Sequence, residues 1–96
     1  MALALALLLA PGALSAQGLG KENCRQTSAI VATAIEGRRA GERAAAIKAR
    51  LTTGPEAVKP PYDATVPTLV DWVFALDRAQ LTPVMAREFE AQCLKY

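Results

Sequence analysis

Cys24 and Cys93 constrain this chain more than any other pair of residues. They bracket nearly all of the 96-residue sequence that follows an apolar leader, and no other cysteine is present. An even cysteine count in an exported chain reads first as a disulfide. A Cys24–Cys93 bridge would close a loop of about 70 residues, which the loop-entropy relation values at roughly 4 kcal/mol. A domain of about 80 residues has a marginal core, so that contribution would be a large share of its stability. The alternatives are an intermolecular bond, free thiols or a redox pair. The spacing is not C-x-x-C and no motif lowers a thiol pKa, which favours a structural bridge over a redox one.

The leader, MALALALLLAPGALSA, occupies residues 1–16. Its apolar run, Ala2 to Ala10, is too short to cross a bilayer, which takes about 20 residues. It suits the apolar region of a signal peptide, which needs roughly 7–15. Pro11 and Gly12 interrupt it, and Ala13-Leu14-Ser15-Ala16 offers cleavage after Ala16 or after Ser15. No Lys or Arg precedes the run, so the α-amine alone supplies the usual positive charge; a start upstream of Met1 is one explanation. The competing reading is a buried Leu/Ala helix of the mature fold. No cysteine follows the small residues, which argues against a lipid anchor. The expectation is a signal peptide over residues 1–16 and a single domain over 17–96, periplasmic or secreted.

The formal charge of +2 is too small to argue for nucleic acid. The chain has no histidine. That removes Ser-His and Cys-His nucleophiles and the commonest zinc partner of cysteine. Asp71 and Asp77 are six residues apart and do not share a helix face, and Glu88 and Glu90 cannot face each other. Gly18 and Gly20 lack the preceding strand that a phosphate-cradling loop requires. The expectation is therefore a non-enzyme with no metal and no cofactor.

Four helices are predicted. The first begins at Asn23 or slightly earlier and runs to about Arg39, with Cys24, Thr27, Ile30, Val31, Ala34 and Ile35 on one stripe. Arg38 and Arg39 suit its C-terminal dipole, and Gly41 suits the left-handed position beyond it. The second spans about Glu42 to Thr53, with Ala44, Ile47 and Leu51 inward and Gly54-Pro55 as its stop. Residues 55–63 form a loop whose Lys59-Pro60-Pro61-Tyr62 stretch should be extended. The third spans about Val66 to Asp77, capped by Thr65, with Val66, Leu69, Val70, Val73 and Leu76 as its core face. Trp72 and Phe74 are expected to be core as well, because a small domain needs its large side chains inside. The fourth starts with Thr82 as cap and Pro83 in the first turn, carrying Met85, Phe89 and Cys93 on one stripe. The fold class expected is all-α, a small four-helix bundle with a disulfide joining its first and last helices.

Arg38, Arg39, Arg43, Lys48 and Arg50 form a basic run, while Asp63, Asp71, Asp77, Glu88 and Glu90 lie later in the chain. A molecule with one basic and one acidic side would suit an acidic partner or an anionic surface. Ordinary solvated helix surface is the simpler reading and the preferred one. If a protein partner is bound, Arg38, Arg39, Arg43 and the loop residue Tyr62 are the candidate contacts.

Cys24 early in the first helix, Gly41 after Arg38-Arg39, the stretch Leu69-Val70-Asp71-Trp72-Val73-Phe74, Thr82-Pro83, and Phe89 before Cys93-Leu94 together carry a resemblance. The pattern resembles small exported single-disulfide proteins of Gram-negative bacteria, and it covers most of the mature chain. It implies a periplasmic helical domain and no activity. In outline alone the chain is similar to periplasmic acid-stress chaperones and to periplasmic immunity proteins that neutralise cell-wall amidases; no functional residue is carried over from either. The expected function is an exported interaction protein of unknown partner, an inhibitor or immunity protein. The alternatives are an acid-stress holdase and, more remotely, a carboxylate-based enzyme.

Overall fold

A computed structural model describes residues 20–95, and the leader expected over residues 1–16 lies outside them. Four α-helices make up the fold: α1 (Ala2–Arg39, of which residues 20–39 are described), α2 (Ala44–Thr52), α3 (Val66–Ala75) and α4 (Pro83–Lys95). Short 3-10 turns precede the last two, at Tyr62–Thr65 and Arg78–Gln80.

α1 is the central element, and α2, α3 and α4 all pack on it. Its buried stripe is the one its spacing predicts: Cys24, Thr27, Ile30, Val31, Ala34 and Ile35. The helix is already formed at Gly20, so Asn23 lies inside it and its carbonyl accepts the Thr27 hydroxyl at 2.7 Å. Ile47 and Leu51 of α2, Val66, Val70 and Val73 of α3, Leu81, and Ala86 of α4 complete one continuous core.

α1 ends in a Schellman motif. Glu42 N–H donates to the Gly37 carbonyl at 2.9 Å and Gly41 N–H to the Arg38 carbonyl at 3.0 Å. Gly41 takes the left-handed conformation this requires, with φ of 90°. Gly37, one turn earlier, is a point of close contact between α1 and α2. A Cβ placed there would lie 2.7 Å from Ile47 Cδ1.

The disulfide joins Cys24 of α1 to Cys93 of α4, with the two Cα atoms 5.6 Å apart. That separation lies in the range an unstrained bridge occupies. Cys24 is buried and Cys93 half-buried. At the opposite end of the pair, Pro83 shares a groove wall with Ile35 and Arg39, so α4 runs antiparallel to α1.

Several local expectations are corrected. α2 begins at Ala44, with Arg43 extended at its N-cap; the Glu42 carboxylate turns to Arg50 instead of opening the helix. Lys59 to Tyr62 is not extended: Tyr62 N–H donates to the Lys59 carbonyl at 3.0 Å, closing a turn into the 3-10 segment. That segment makes Thr65 helical, so its hydroxyl donates back to the Tyr62 carbonyl and does not cap α3. α3 stops at Ala75 because Leu76 is extended, and Asp77 begins a new turn closed by a capping box with Gln80.

Trp72 is the largest departure. It is 38% exposed, not core. The buried face of α3 is set by Val66, Val70 and Val73, at spacings of four and three. Trp72 falls between the last two and points off that stripe. Its ring rests on Phe89 of α4, centroids 5.6 Å apart. Phe74 is half-buried, with the Arg38 guanidinium 5.5 Å from its ring centroid.

Candidate functional site

The fold separates the residues that the sequence offers as partner contacts. Arg38 and Arg39 form the last turn of α1, and Arg43 stands just before α2. Tyr62 begins the 3-10 turn ahead of α3, whereas Arg38 meets the far end of that helix. The two places are one ten-residue helix apart, about 15 Å at the α-helical rise. Tyr62 is half-buried, and the nearby Lys59 ammonium lies 3.8 Å from Glu22, toward the disulfide end of α1. Tyr62 therefore stands apart from the arginines.

The basic run is also divided. Arg50 bonds Glu42 through Nε and Nη2, at 3.1 and 2.7 Å, and reaches Glu56 through Nη1 at 3.0 Å. The hydrogen bonds from Arg50 hold the Glu42 carboxyl below its ordinary pKa, and they raise that of Arg50 in return. Lys48 pairs with Asp71 at 2.7 Å, tying α2 to α3. The polarity suggested by charge order along the chain is thereby reduced, because the fold lays α2 alongside the acid of α3.

Arg38, Arg39, Arg43 and Arg78 take part in none of the ion pairs among the described residues. Arg38 is nonetheless engaged. Its Nη1 donates to the carbonyls of Val73 and Leu76, both at 2.7 Å; the Val73 carbonyl also accepts the Leu76 N–H at 3.2 Å, and the Leu76 carbonyl lies just beyond the end of α3, where helical partners run out. Arg39 and Arg43 are exposed. Arg78, which sequence reading did not single out, belongs with them: Arg38, Arg39, Arg78 and Leu81 line a cavity of about 200 Å3. Its place follows from the fold, which sets the turn after α3 beside the end of α1.

Two larger surface depressions lie elsewhere among the described residues. One, of about 440 Å3, runs between α1 and α4 over Ala29, Ala32, Ile35 and Ala86, with Glu36 and Arg87 at its rim. The other, of about 430 Å3, is bounded by Trp72, Met85 and Phe89 next to Cys93. Among the described residues, no three His, Cys, Asp or Glu side chains gather as metal ligands, and no helix is long and apolar enough to cross a membrane.

The chain matches no family model, no curated protein and no solved structure.

Proposed function

We propose that the protein is an exported, periplasmic binding protein that engages a partner protein through the arginine-bearing end of its bundle, as an inhibitor or immunity protein does. The observation that carries this reading is the contrast within the basic run. Lys48 and Arg50 are spent on internal ion pairs, while Arg39 and Arg43, at the α1–α2 junction, are exposed with no carboxylate in pairing distance among the described residues. Guanidinium groups in this condition are the ones that can enter bidentate bonds to a partner's carboxylates without first breaking a bond of their own. The disulfide supports the exported setting, since such bridges persist in oxidising compartments. The turn that presents Arg39 and Arg43 is fixed by the Schellman bonds at Gly41, so little ordering remains to be done on binding.

The test is capture from periplasmic extract on immobilised, disulfide-intact protein, beside an Arg39→Glu/Arg43→Glu variant of equal thermal stability. A specific partner retained by the wild type and lost by the variant is expected. Equal retention by both, or none by either, rejects the reading.

A second reading, an acid-stress holdase, draws on the carboxylates. Each ion pair of the described residues depends on Glu22, Glu42, Glu56 or Asp71. Protonating the nine acidic side chains leaves the charge of eleven Lys and Arg, +11 in place of +2. Repulsion on that scale loosens a small core while the bridge keeps the chain compact. Suppression of client aggregation below about pH 4, where carboxylates protonate, tests it; a chain that stays folded or leaves clients unprotected there does not act this way.

A further inference from the structure

We infer that the cavity between the end of α1 and the turn after α3 is a binding site for a tetrahedral oxyanion, a phosphate group, held by Arg38, Arg39 and Arg78. This deepens the partner-binding reading and rests on it only in placing recognition at the same end of the bundle.

Three arginines line one small space, and among the described residues no Asp or Glu lines it. Like charges gathered in this way repel one another, and a bound anion relieves the repulsion. The nearby acids are occupied or directed elsewhere. Asp77, next in the chain to Arg78, accepts the Gln80 backbone N–H in its capping box. Glu36, one turn before Arg39, lies on the α1–α4 groove, which Arg39 also borders, and it does not line this cavity.

Arg38 is the fixed member of the three. Its Nη1 is committed to the Val73 and Leu76 carbonyls, and its guanidinium lies over Phe74. These contacts immobilise the side chain yet engage one nitrogen only. The Nε–H and both Nη2 hydrogens have no partner among the described residues, and that edge is the fork that takes two oxygens of an oxyanion at once. Arg39 and Arg78 are exposed and flank it from two different elements. Three positive charges carried on two elements suit a tetrahedral dianion better than a singly charged carboxylate. The volume, about 200 Å3, exceeds the ~30 Å3 share of one liquid water several times over. It admits a phosphate group with part of its hydration.

The isolated, disulfide-intact protein is titrated with inorganic phosphate at constant ionic strength, followed by amide and arginine Nε–H resonances, with acetate and chloride in parallel. Saturable shifts confined to Arg38, Arg39, Arg78 and Leu81 with phosphate alone are expected. An Arg39→Gln/Arg78→Gln variant, which leaves the Arg38 contacts in place, should weaken binding by about tenfold for each charge-assisted bond lost. A Lys21→Gln/Lys95→Gln variant, equal in net charge, should bind as the wild type does. Shifts that fail to saturate, equal shifts with acetate or chloride, or equal losses in both variants overturn the proposal.

Sedimentation with phosphatidylcholine vesicles containing phosphatidic acid identifies the source. Co-sedimentation that needs Arg39 and Arg78 assigns a lipid headgroup; phosphate binding without it assigns a soluble phosphate. The titration contains no partner protein, so it can fail while partner capture succeeds, and the reverse.

Discussion

Arg38, in the last turn of α1, closes the end of α3 by donating Nη1 to the Leu76 carbonyl 38 residues further along the chain, at 2.7 Å. The same nitrogen serves Val73, also at 2.7 Å. One side chain thus supplies what a local cap supplies elsewhere, and it couples the core helix α1 to the point where α3 turns toward α4.

Arg38→Ala should therefore destabilise the fold by about 2 kcal/mol, the usual scale for a hydrogen bond from a charged donor to a half-buried acceptor. Arg38→Lys should recover only part of this, since a point charge cannot reproduce the planar contact with Phe74. Chemical denaturation of the three proteins checks the order. If the alanine variant matches the wild type, the contact is not a cap.

Cys24 and Cys93 make the second prediction. The bridge spans 69 positions of sequence, and replacing both residues by alanine should cost roughly 4 kcal/mol. The measurement is the denaturation midpoint with and without reductant. Reduction should lower it in the wild type and leave the double-alanine variant unmoved. A wild type indifferent to reductant would show that the other contacts between α1 and α4 suffice.

Gly37 separates two effects of opposite sign. Alanine in a helix interior is intrinsically better than glycine by about 1 kcal/mol. Here a Cβ would meet Ile47 Cδ1 at 2.7 Å and Glu42 Oε1 at 2.8 Å. Ile47 is fully buried and Glu42 is held by Arg50, so neither yields freely. Overpacking of this kind costs about 1–3 kcal/mol, and Gly37→Ala should be destabilising overall by about 1 kcal/mol. Adding Ile47→Val should restore part of the loss. A Gly37→Ala protein more stable than the wild type would mean that α2 moves away without penalty.

What could be read from the sequence follows the range of the interaction involved. The inward stripe of α1, the turn at Gly41 and the start of α4 at Pro83 depend on neighbours within a few residues, and they appear where the spacing puts them. The start of α2 and the end of α3 depart from the local pattern because Glu42 and Asp77 find other partners, Arg50 and Gln80. The exposure of Trp72 is set by its angular place on α3, off the Val66–Val70–Val73 stripe, and not by its size. The α1–α2 contact at Gly37 and the meeting of Arg78 with Arg38 and Arg39 depend on how helices are set side by side, and no local pattern encodes either.

Trp72 offers a direct readout of its contact with Phe89. It is the single tryptophan of the chain, so its emission reports one environment. An aromatic pair of this geometry contributes about 0.5–1.5 kcal/mol beyond the area it buries. Phe89→Ala should lose at least that much stability and shift the folded-state emission to longer wavelength as the indole becomes wetter. An unchanged spectrum would show that the two rings do not touch in solution.

Glu42 links the fold to acidity. The hydrogen bonds from Arg50 depress its pKa in the folded state, and no such partner is held in the unfolded chain. A carboxyl depressed in this way stabilises the fold above its unfolded pKa, and the contribution is lost as pH falls through the folded one. The unfolded form binds the proton first, so stability must decline on going below the ordinary carboxylate range. Glu22 behaves alike, lowered first by its hydrogen bond from Gln26 and then by Arg25. A Glu42→Gln variant should show a shallower fall in stability from neutral to acid pH than the wild type, measured by denaturation at a series of pH values. If the two profiles run parallel, the acid sensitivity does not arise from Glu42.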